Sequence, residues 1–176
     1  MSSKAEAEFS SAKISVWWHM ENCPMPSGCD PNAVIKNIRS ALAKLSYRGP
    51  ITINAYGDLY HFPTDVQQAF TRSVISFNSV SAGFEYTINK MVVDMLLWSF
   101  DNPAPANCLL ISGDSVFSYA LHNLDMRNYN ILLAHPQHIE PSGALVSAAN
   151  CVWHWTTLAA NGGLPFTHIG EFSDSD

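Results

Sequence analysis

The chain has few charged residues, and basic ones are especially scarce. Of its 176 residues, nine are Lys or Arg and fifteen are Asp or Glu, which gives a formal net charge of −6. A globally basic surface, the simplest feature of a nucleic-acid-binding protein, is therefore excluded. Any contact with nucleic acid must depend on a local patch of positive charge.

The sequence also lacks a long apolar segment and closely spaced cysteines. Its start, MSSKAEAEFSSAK, has no apolar core of the kind found in signal peptides, and no run is long enough to cross a membrane. The four cysteines have no CxxC spacing, and Cys108 and Cys151 lie in apolar runs, where a free thiol behaves as a small hydrophobic side chain. We therefore expect a soluble intracellular protein, cytoplasmic, nuclear or in an organelle, with reduced thiols and no membrane contact.

Short apolar runs of strand length alternate with amphipathic segments. The runs are Ile14–Trp18, Ile51–Tyr56, Asn107–Ile111 and Asn130–Ala134, with a further edge strand at Cys151–Trp155. Strands that are apolar on both faces and alternate with helices indicate a parallel sheet covered on each side. The sequence therefore predicts a three-layer α/β fold with a doubly wound, mainly parallel sheet. One domain is expected at residues 13–160, after a disordered segment 1–12 and before a flexible acidic tail 161–176.

Capping signals and periodicity predict the helices. They are Pro31–Leu45, a helix from Thr64 or Asp65 to Val74, one around Ile88–Leu96, and Val116–Met126. Asp30 provides an N-cap for the first of them. The third has five residues spaced as on a buried helix face: Ile88, Met91, Val92, Met95 and Leu96. Residues 76–84 fit neither a helix nor a strand pattern.

Polar residues follow several of the predicted strands. Ligands of open parallel α/β sheets bind beyond the carboxyl ends of the strands. The candidate site residues are therefore His19, Glu21, Asn22, Asp58, Ser112, Gly113 and Asp114, together with Asp94 from a helix. Ordinary structural roles are also open: Asn22 and Asp58 as turn residues, Asp114 as a helix N-cap, and Asp94 as the i, i+4 partner of Lys90.

Three segments together resemble the plant-type NYN domain. They are WWHMENCPMP at residues 17–26, ITINAYGD at 51–58, and KMVVDMLLWSFDNPAPANCLLISGDSVFSYALHNLDMRNYNILLAHP at 90–136. The resemblance extends from about Ile14 to Trp155. Within this range the sequence is similar to the NYN domain of meiosis-regulator and limkain-type proteins. It implies a PIN-like nuclease fold whose acidic cluster binds Mg²⁺ or Mn²⁺ and cleaves RNA. It also implies that Asp94 and Asp114 are metal-site carboxylates and that Asn22 is a polar residue beside them.

Two acidic positions of that family are missing. Where the family has Asp directly after the first strand, this chain has His19, and the second acid of the family's SGDxDF motif is Val116. Imidazole is a poor ligand for Mg²⁺, and an isopropyl group is none. We therefore expect a pseudonuclease that acts as an RNA- or protein-binding module. The alternative is a weakly active or Mn²⁺-dependent endoribonuclease that acts on single-stranded RNA.

The remaining metal-ligand set is His19, Asp94 and Asp114. Imidazole with two carboxylates suits Mn²⁺ better than Mg²⁺. The other interpretation is a metal-free His19 held by hydrogen bonds. A zinc site at His19, Cys23 and Cys29 would lack a fourth ligand.

The catalytic candidates are thus Asp94, Asp114, His19 and Asn22, and RNA contacts are expected from five further residues. Lys36, Arg39 and Lys44 fall on one side of the first helix, within roughly 140° of one another at 100° per residue. Ser112 and Ser115 lie beside the expected metal position, and Ser115 stands where the family often has a basic residue. An ordinary solvated helix face is the alternative for the three basic residues. An esterase-like motif at Gly113–Ser115 occurs too late in the chain for that enzyme class.

Overall fold

The strands of the fold lie in a single sheet. The computed structural model describes residues 6–81 and 83–168, with only the backbone of Phe84, Thr167 and His168. In this part of the chain the strands are β1 (Ile14–His19), β2 (Ile51–Gly57), β3 (Ser76–Ser79), β4 (Ala106–Ile111), β5 (Tyr129–His135), β6 (Cys151–His154) and β7 (Thr167–His168). Their order is β3-β2-β1-β4-β5-β6-β7. All pairs from β3 to β6 are parallel, and β7 is antiparallel to β6.

Helices cover both faces of this sheet. They are α1 (Ala7–Ser10), α2 (Pro31–Lys44), α3 (Thr64–Arg72), α4 (Phe84–Asp101), α5 (Ser118–Asp125), α6 (Gly143–Ala148) and α7 (Trp155–Asn161). One core contains buried residues of α2, α3 and α7, and a second core contains those of α4, α5 and α6. The predicted three-layer, doubly wound α/β fold is therefore confirmed. Among the described residues, none of the helices has the length and apolar character needed to span a lipid bilayer.

The central strand β1 shows why the apolar runs form a parallel sheet. Every residue of β1 is buried, because successive side chains enter opposite cores. Trp18 packs against Phe70 and Trp155 on one face, with ring centroids 6.2 and 5.0 Å apart. Trp17 packs against Trp98 of α4 on the other face, at 6.1 Å. A strand with two buried faces needs apolar residues at nearly every position, as this sequence has.

The predicted starts of α2 and α3 agree with the structure, but the predicted end and cap of α3 do not. Asp30 caps α2, since its side chain accepts a hydrogen bond from the Ala33 N–H at 2.9 Å. The helix α3 starts at Thr64 but ends at Arg72, two residues before the predicted Val74, and neither Thr64 nor Asp65 is its N-cap residue.

Other segments differ from the sequence predictions. The strand at Cys151 is not an edge strand, because β7 pairs beyond it and Trp155 already belongs to α7. In the segment 1–12, for which disorder is expected, Ala7–Ser10 forms α1 and Phe9 is buried. Within the expected tail 161–176, Thr167 and His168 form β7, and residues 169–176 lie outside the described part of the chain.

One residue of the predicted buried face of α4 points elsewhere. Ile88, Met91 and Met95 are buried, but the side chain of Leu96 is 53% exposed. The prediction for Leu96 is wrong because α4 is apolar on two sides, so that a single stripe of apolar spacing does not tell which side faces the core.

Candidate functional site

His19 and Ser112 lie side by side at the carboxyl edge of the sheet. His19 ends β1, Ser112 follows β4, and these neighbouring strands are parallel, with Trp18 opposite Ile111. His19 Nδ1 lies 3.1 Å from Ser112 Oγ. The ring of Phe117 packs edge-on against the imidazole, with centroids 6.1 Å apart.

The imidazole of His19 is neutral at pH 7. Burial lowers its pKa from 6.5 to about 4, and the negative charge of Asp114 opposes this shift only in part. His19 therefore contributes no positive charge that would attract phosphate, and it contributes no negative charge that would attract a metal ion.

The Asn22 amide connects the loop after β1 to the loop after β4. Asn22 Oδ1 accepts a short hydrogen bond from the Gly113 N–H and lies 3.5 Å from Ser112 Oγ. Ser112 Oγ in turn accepts a hydrogen bond from the Asp114 N–H at 3.2 Å. Asn22 thus connects two loops, a structural role that differs from the turn residue considered for it from the sequence.

Gly113 is needed at this junction because other atoms approach it closely. A Cβ atom at this position would lie 2.8 Å from Pro136 Cδ and 2.9 Å from His135 Nε2. Any side chain would therefore push the β4 loop away from the loop after β5, and Asn22 would lose its partner.

Asp94 lies on α4, and one of its oxygens already has two partners. The Tyr56 hydroxyl donates a hydrogen bond to Asp94 Oδ2 at 2.8 Å, and Lys90 Nζ lies 2.7 Å from the same oxygen. Burial, followed by the hydrogen bond to Asp94 and the charge of Asp94, raises the pKa of Tyr56 far above its usual range. The phenol is therefore a permanent donor. The structure places Asp94 in its alternative role, as the i, i+4 partner of Lys90.

Asp114 caps the turn that precedes α5. Its Oδ1 accepts a hydrogen bond from the Val116 N–H at 2.9 Å, which opens a 3₁₀ turn over Ser115–Phe117. The N-cap role considered for Asp114 is thus present. Val116, at the position of the family's second acid, is 59% exposed, and Ser115 beside it is also exposed.

The predicted ligands do not form a compact metal-binding cluster. Within residues 6–81 and 83–168, no three His, Cys, Asp or Glu side chains lie close enough together to hold one ion. One oxygen of Asp94 and one of Asp114 have partners, and His19 Nδ1 faces Ser112. Mg²⁺ demands oxygen ligands in near-octahedral geometry. The residues present, in this arrangement, therefore do not fit a Mg²⁺ centre with three protein ligands.

The basic residues of α2 are spread along the length of the helix. Because β1 and β2 are parallel, α2 starts at the carboxyl edge of the sheet and ends at the opposite edge. At 1.5 Å per residue, Lys36 is about 8 Å from the start of α2 and Lys44 about 20 Å. Lys36, Arg39 and Lys44 are all exposed, and Lys44 Nζ donates to the Gly162 carbonyl at 2.9 Å. Only Lys36 lies in the half of the helix that starts at the site edge, because Arg39 is about 12 Å along a helix of about 20 Å.

A cleft of 390 Å³ adjoins the site, and the sequence did not predict it. Its lining includes the apolar side chains of Met20 and Phe62 and the carboxylates of Glu21 and Asp58. Both carboxylates are among the predicted candidates, since Glu21 follows β1 and Asp58 follows β2. Two residues that were not predicted as site residues are Tyr56 and Lys90, which contact Asp94.

Comparison with known proteins identifies one family. The model of the NYN domain matches residues 13–154, which is most of the chain. Among solved structures, a protein of unknown function from Vibrio parahaemolyticus RIMD 2210633 is similar, with a TM-score of 0.57 and 15% identity over 85% of this chain and 95% of that chain. At this identity the likeness concerns the fold alone. No curated protein matches the chain.

Proposed function

We propose that this chain, which belongs to the NYN domain family, is a pseudonuclease that binds single-stranded RNA and does not cleave it efficiently. The family indicates a PIN-like nuclease, and such nucleases depend on divalent metal ions. The observation that carries the proposal is the Lys90–Asp94 pair at 2.7 Å, together with a neutral His19 at the position of a family aspartate.

The charge balance of the site supports weak metal binding. Asp94 and Asp114 provide two formal negative charges, and the Lys90 ammonium offsets one of them. A site with so little negative charge attracts a divalent ion weakly and helps little to lower the pKa of an attacking water. His19 and Val116 stand where the family has two further acidic residues. We therefore expect the site to hold a divalent ion too weakly for efficient RNA cleavage.

RNA binding is supported by exposed donors on α2 and in the turn beside Asp114. Lys36 and Arg39 can contact phosphates, and the exposed Ser115 offers a hydroxyl group beside Asp114. Because the chain carries a net charge of −6, we expect low affinity that falls as salt is added. A protein ligand at this edge is the alternative to RNA.

A Mn²⁺-dependent endoribonuclease of low activity is the second candidate. The charge of Asp114 acts on His19, so this carboxylate and the imidazole lie within electrostatic reach of each other. An imidazole and a carboxylate suit Mn²⁺ better than Mg²⁺.

The two candidates are separated by an RNA cleavage and binding experiment. Single-stranded RNA is incubated with the parent, the double variant His19→Asp/Val116→Asp and the triple variant that adds Asp94→Asn, each in Mg²⁺, Mn²⁺ or chelator. We expect the parent to bind RNA in chelator without cleaving it, the double variant to gain Mg²⁺-dependent cleavage, and the triple variant to lose that gain. Val74→Asp, which adds a carboxylate at another exposed valine, is the matched control.

Each other outcome has a definite meaning. Rapid cleavage by the parent in Mg²⁺ would contradict the pseudonuclease proposal, and slow cleavage only in Mn²⁺ would favour the second candidate. A folded double variant without activity would show that the two lost carboxylates are not the cause. If the parent fails to bind RNA at low salt, the protein ligand is favoured.

A further inference from the structure

The outer side of α4 carries an exposed apolar stripe. Five of its apolar side chains are more than half exposed: Tyr86 57%, Val93 52%, Leu96 53%, Leu97 53% and Phe100 71%. The inner side of the same helix already packs into the core through Ile88, Met91 and Met95. A surface helix of a monomeric domain needs one apolar side, so this second apolar side has no role within the domain.

The spacing of the stripe is that of a helix-helix interface. Tyr86, Val93 and Phe100 are seven residues apart, and Asn89 and Leu96 follow the first two of them by three residues. These are the a and d positions of a heptad repeat, which face a partner helix. Leu97 lies next to this line. We call the six residues Tyr86, Asn89, Val93, Leu96, Leu97 and Phe100 the α4 seam.

The α4 seam carries no exposed charge along its apolar half. From Met91 to Phe100 the one charged residue is Asp94, which is turned toward Tyr56 and paired with Lys90. Two copies of this acidic chain could therefore meet along the seam without burying an unpaired carboxylate. The net charge of −6 would oppose the approach of two copies through other, charged surfaces.

The area of the seam is of the right order for a weak dimer. At roughly 100 Å² of exposed surface for each half-exposed large side chain, the five apolar residues offer about 500 Å². A stable interface buries about 800 Å² per partner, and a patch larger than a few hundred Å² is uncommon on a monomer. The seam alone is therefore smaller than the interface of a stable dimer, which agrees with a weak association that depends on concentration.

We propose that the α4 seam is the interface of a homodimer, in which α4 packs against α4 of a second copy. A seam made of one helix is self-complementary, as the two-fold symmetry of a dimer requires. Asn89 then lies within the interface, where a polar residue at a seam position restricts the pairing at a cost in affinity. This inference is independent of the proposed function, because Asp94 faces the sheet rather than the seam.

Sedimentation velocity of the full chain between about 1 and about 200 µM tests the interface. We expect a monomer–dimer equilibrium for the parent. Leu97→Glu and Leu96→Lys should each raise the dissociation constant at least tenfold, because each places a charge in the apolar half of the seam. Asn89→Leu should lower the dissociation constant, since it replaces the polar seam residue with an apolar one.

Val74→Glu is the matched control, because Val74 is 69% exposed, lies after α3 and does not belong to the seam. It should leave the equilibrium unchanged, and circular dichroism should show the same fold for all variants. The proposal is overturned if the parent is monomeric over the whole range or forms open-ended oligomers. It is also overturned if both charged seam variants dimerise like the parent.

Discussion

Lys90 Nζ lies 2.7 Å from Asp94 Oδ2, one helical turn along α4. The Lys90 and Asp94 side chains are 36% and 27% exposed, so solvent screens the pair and its contribution to stability is small, at most ~1 kcal/mol. Its effect on the site is larger, because the ammonium group holds the oxygen that a metal ion would need. We therefore expect the pair to influence metal binding more than folding.

Removing the ammonium group should strengthen metal binding. In Lys90→Met most of the aliphatic stem is kept, and Asp94 loses the cationic competitor that lies 5.7 Å from the centroid of the Tyr56 ring. We expect the Mn²⁺ affinity measured by calorimetry to rise about tenfold, which corresponds to ~1.4 kcal/mol.

The control for this change is Lys13→Met. Lys13 precedes β1 at the opposite edge of the sheet and donates to Asn102, so its loss changes the net charge by the same amount away from the site. If both variants gain affinity equally, the effect is one of net charge and the role assigned to Lys90 is wrong. Tight one-site Mg²⁺ binding by the parent would contradict the weak metal binding on which the prediction rests.

The fold was predictable because most strands are buried on both faces. The sequence places β1, β2, β4 and β5 to within about two residues, since a strand inside a parallel sheet needs a continuous apolar run. The short strand β3 lies at the sheet edge and is partly exposed, so Ser76–Ser79 has no such run. It forms because β2 offers it hydrogen-bond partners, which no local pattern reveals.

The site was predictable in its position but not in its contacts. The edge rule for parallel sheets correctly brings His19, Asn22 and Ser112 to one place, because it depends on topology alone. Whether Asp94 binds a metal ion or Lys90 depends on a few ångströms and on the direction of one side chain. Tyr56 was assigned only to a strand, although its hydroxyl fixes the Asp94 carboxylate.

Gly113→Ala should destabilise the protein. Its Cβ would lie 2.8 Å from Pro136 Cδ and 2.9 Å from His135 Nε2, both in closely packed surroundings. Inserting a methyl group into such a place costs about 1–3 kcal/mol of unfolding free energy, measured by urea denaturation. Gly143→Ala is the control, since a Cβ there meets nothing within 4 Å and the residue begins α6. The control should be neutral or slightly stabilising; equal losses in both variants would rule out the packing argument.

Asn22→Ala should also lower stability, by about 1–3 kcal/mol, because it leaves the Gly113 N–H without its acceptor. Asn22→Asp keeps an acceptor at this position and should lose less at pH 7. The two variants are compared by thermal and urea unfolding. If Asn22→Asp loses as much as Asn22→Ala, the hydrogen bond to Gly113 is not what Asn22 contributes.

Stability should fall as the pH drops from neutral, and His19 should account for much of the fall. The pKa of His19 is about 4 in the folded protein and 6.5 when the residue is free, so the unfolded chain binds a proton in this range that the folded protein does not. The contribution of the neutral His19 to the free energy of unfolding is complete above about pH 6.5. It declines as the pH falls and is lost below about pH 4. Its size is about 3 kcal/mol for a shift of this magnitude.

His19→Gln tests this sign and size, because glutamine cannot be protonated. Unfolding free energies of parent and variant are measured by urea denaturation from pH 7.5 to 4.5, within which the variant should lose less stability than the parent by up to about 3 kcal/mol. The test compares how the unfolding free energy of each protein changes with pH. Burial also lowers the pKa of His135, and this adds the same pH dependence to both proteins, so only the difference between parent and variant reports on His19. Parallel profiles for parent and His19→Gln would mean that His19 is protonated in the folded site at pH 5, and its place as a neutral group beside Asp114 would have to be abandoned.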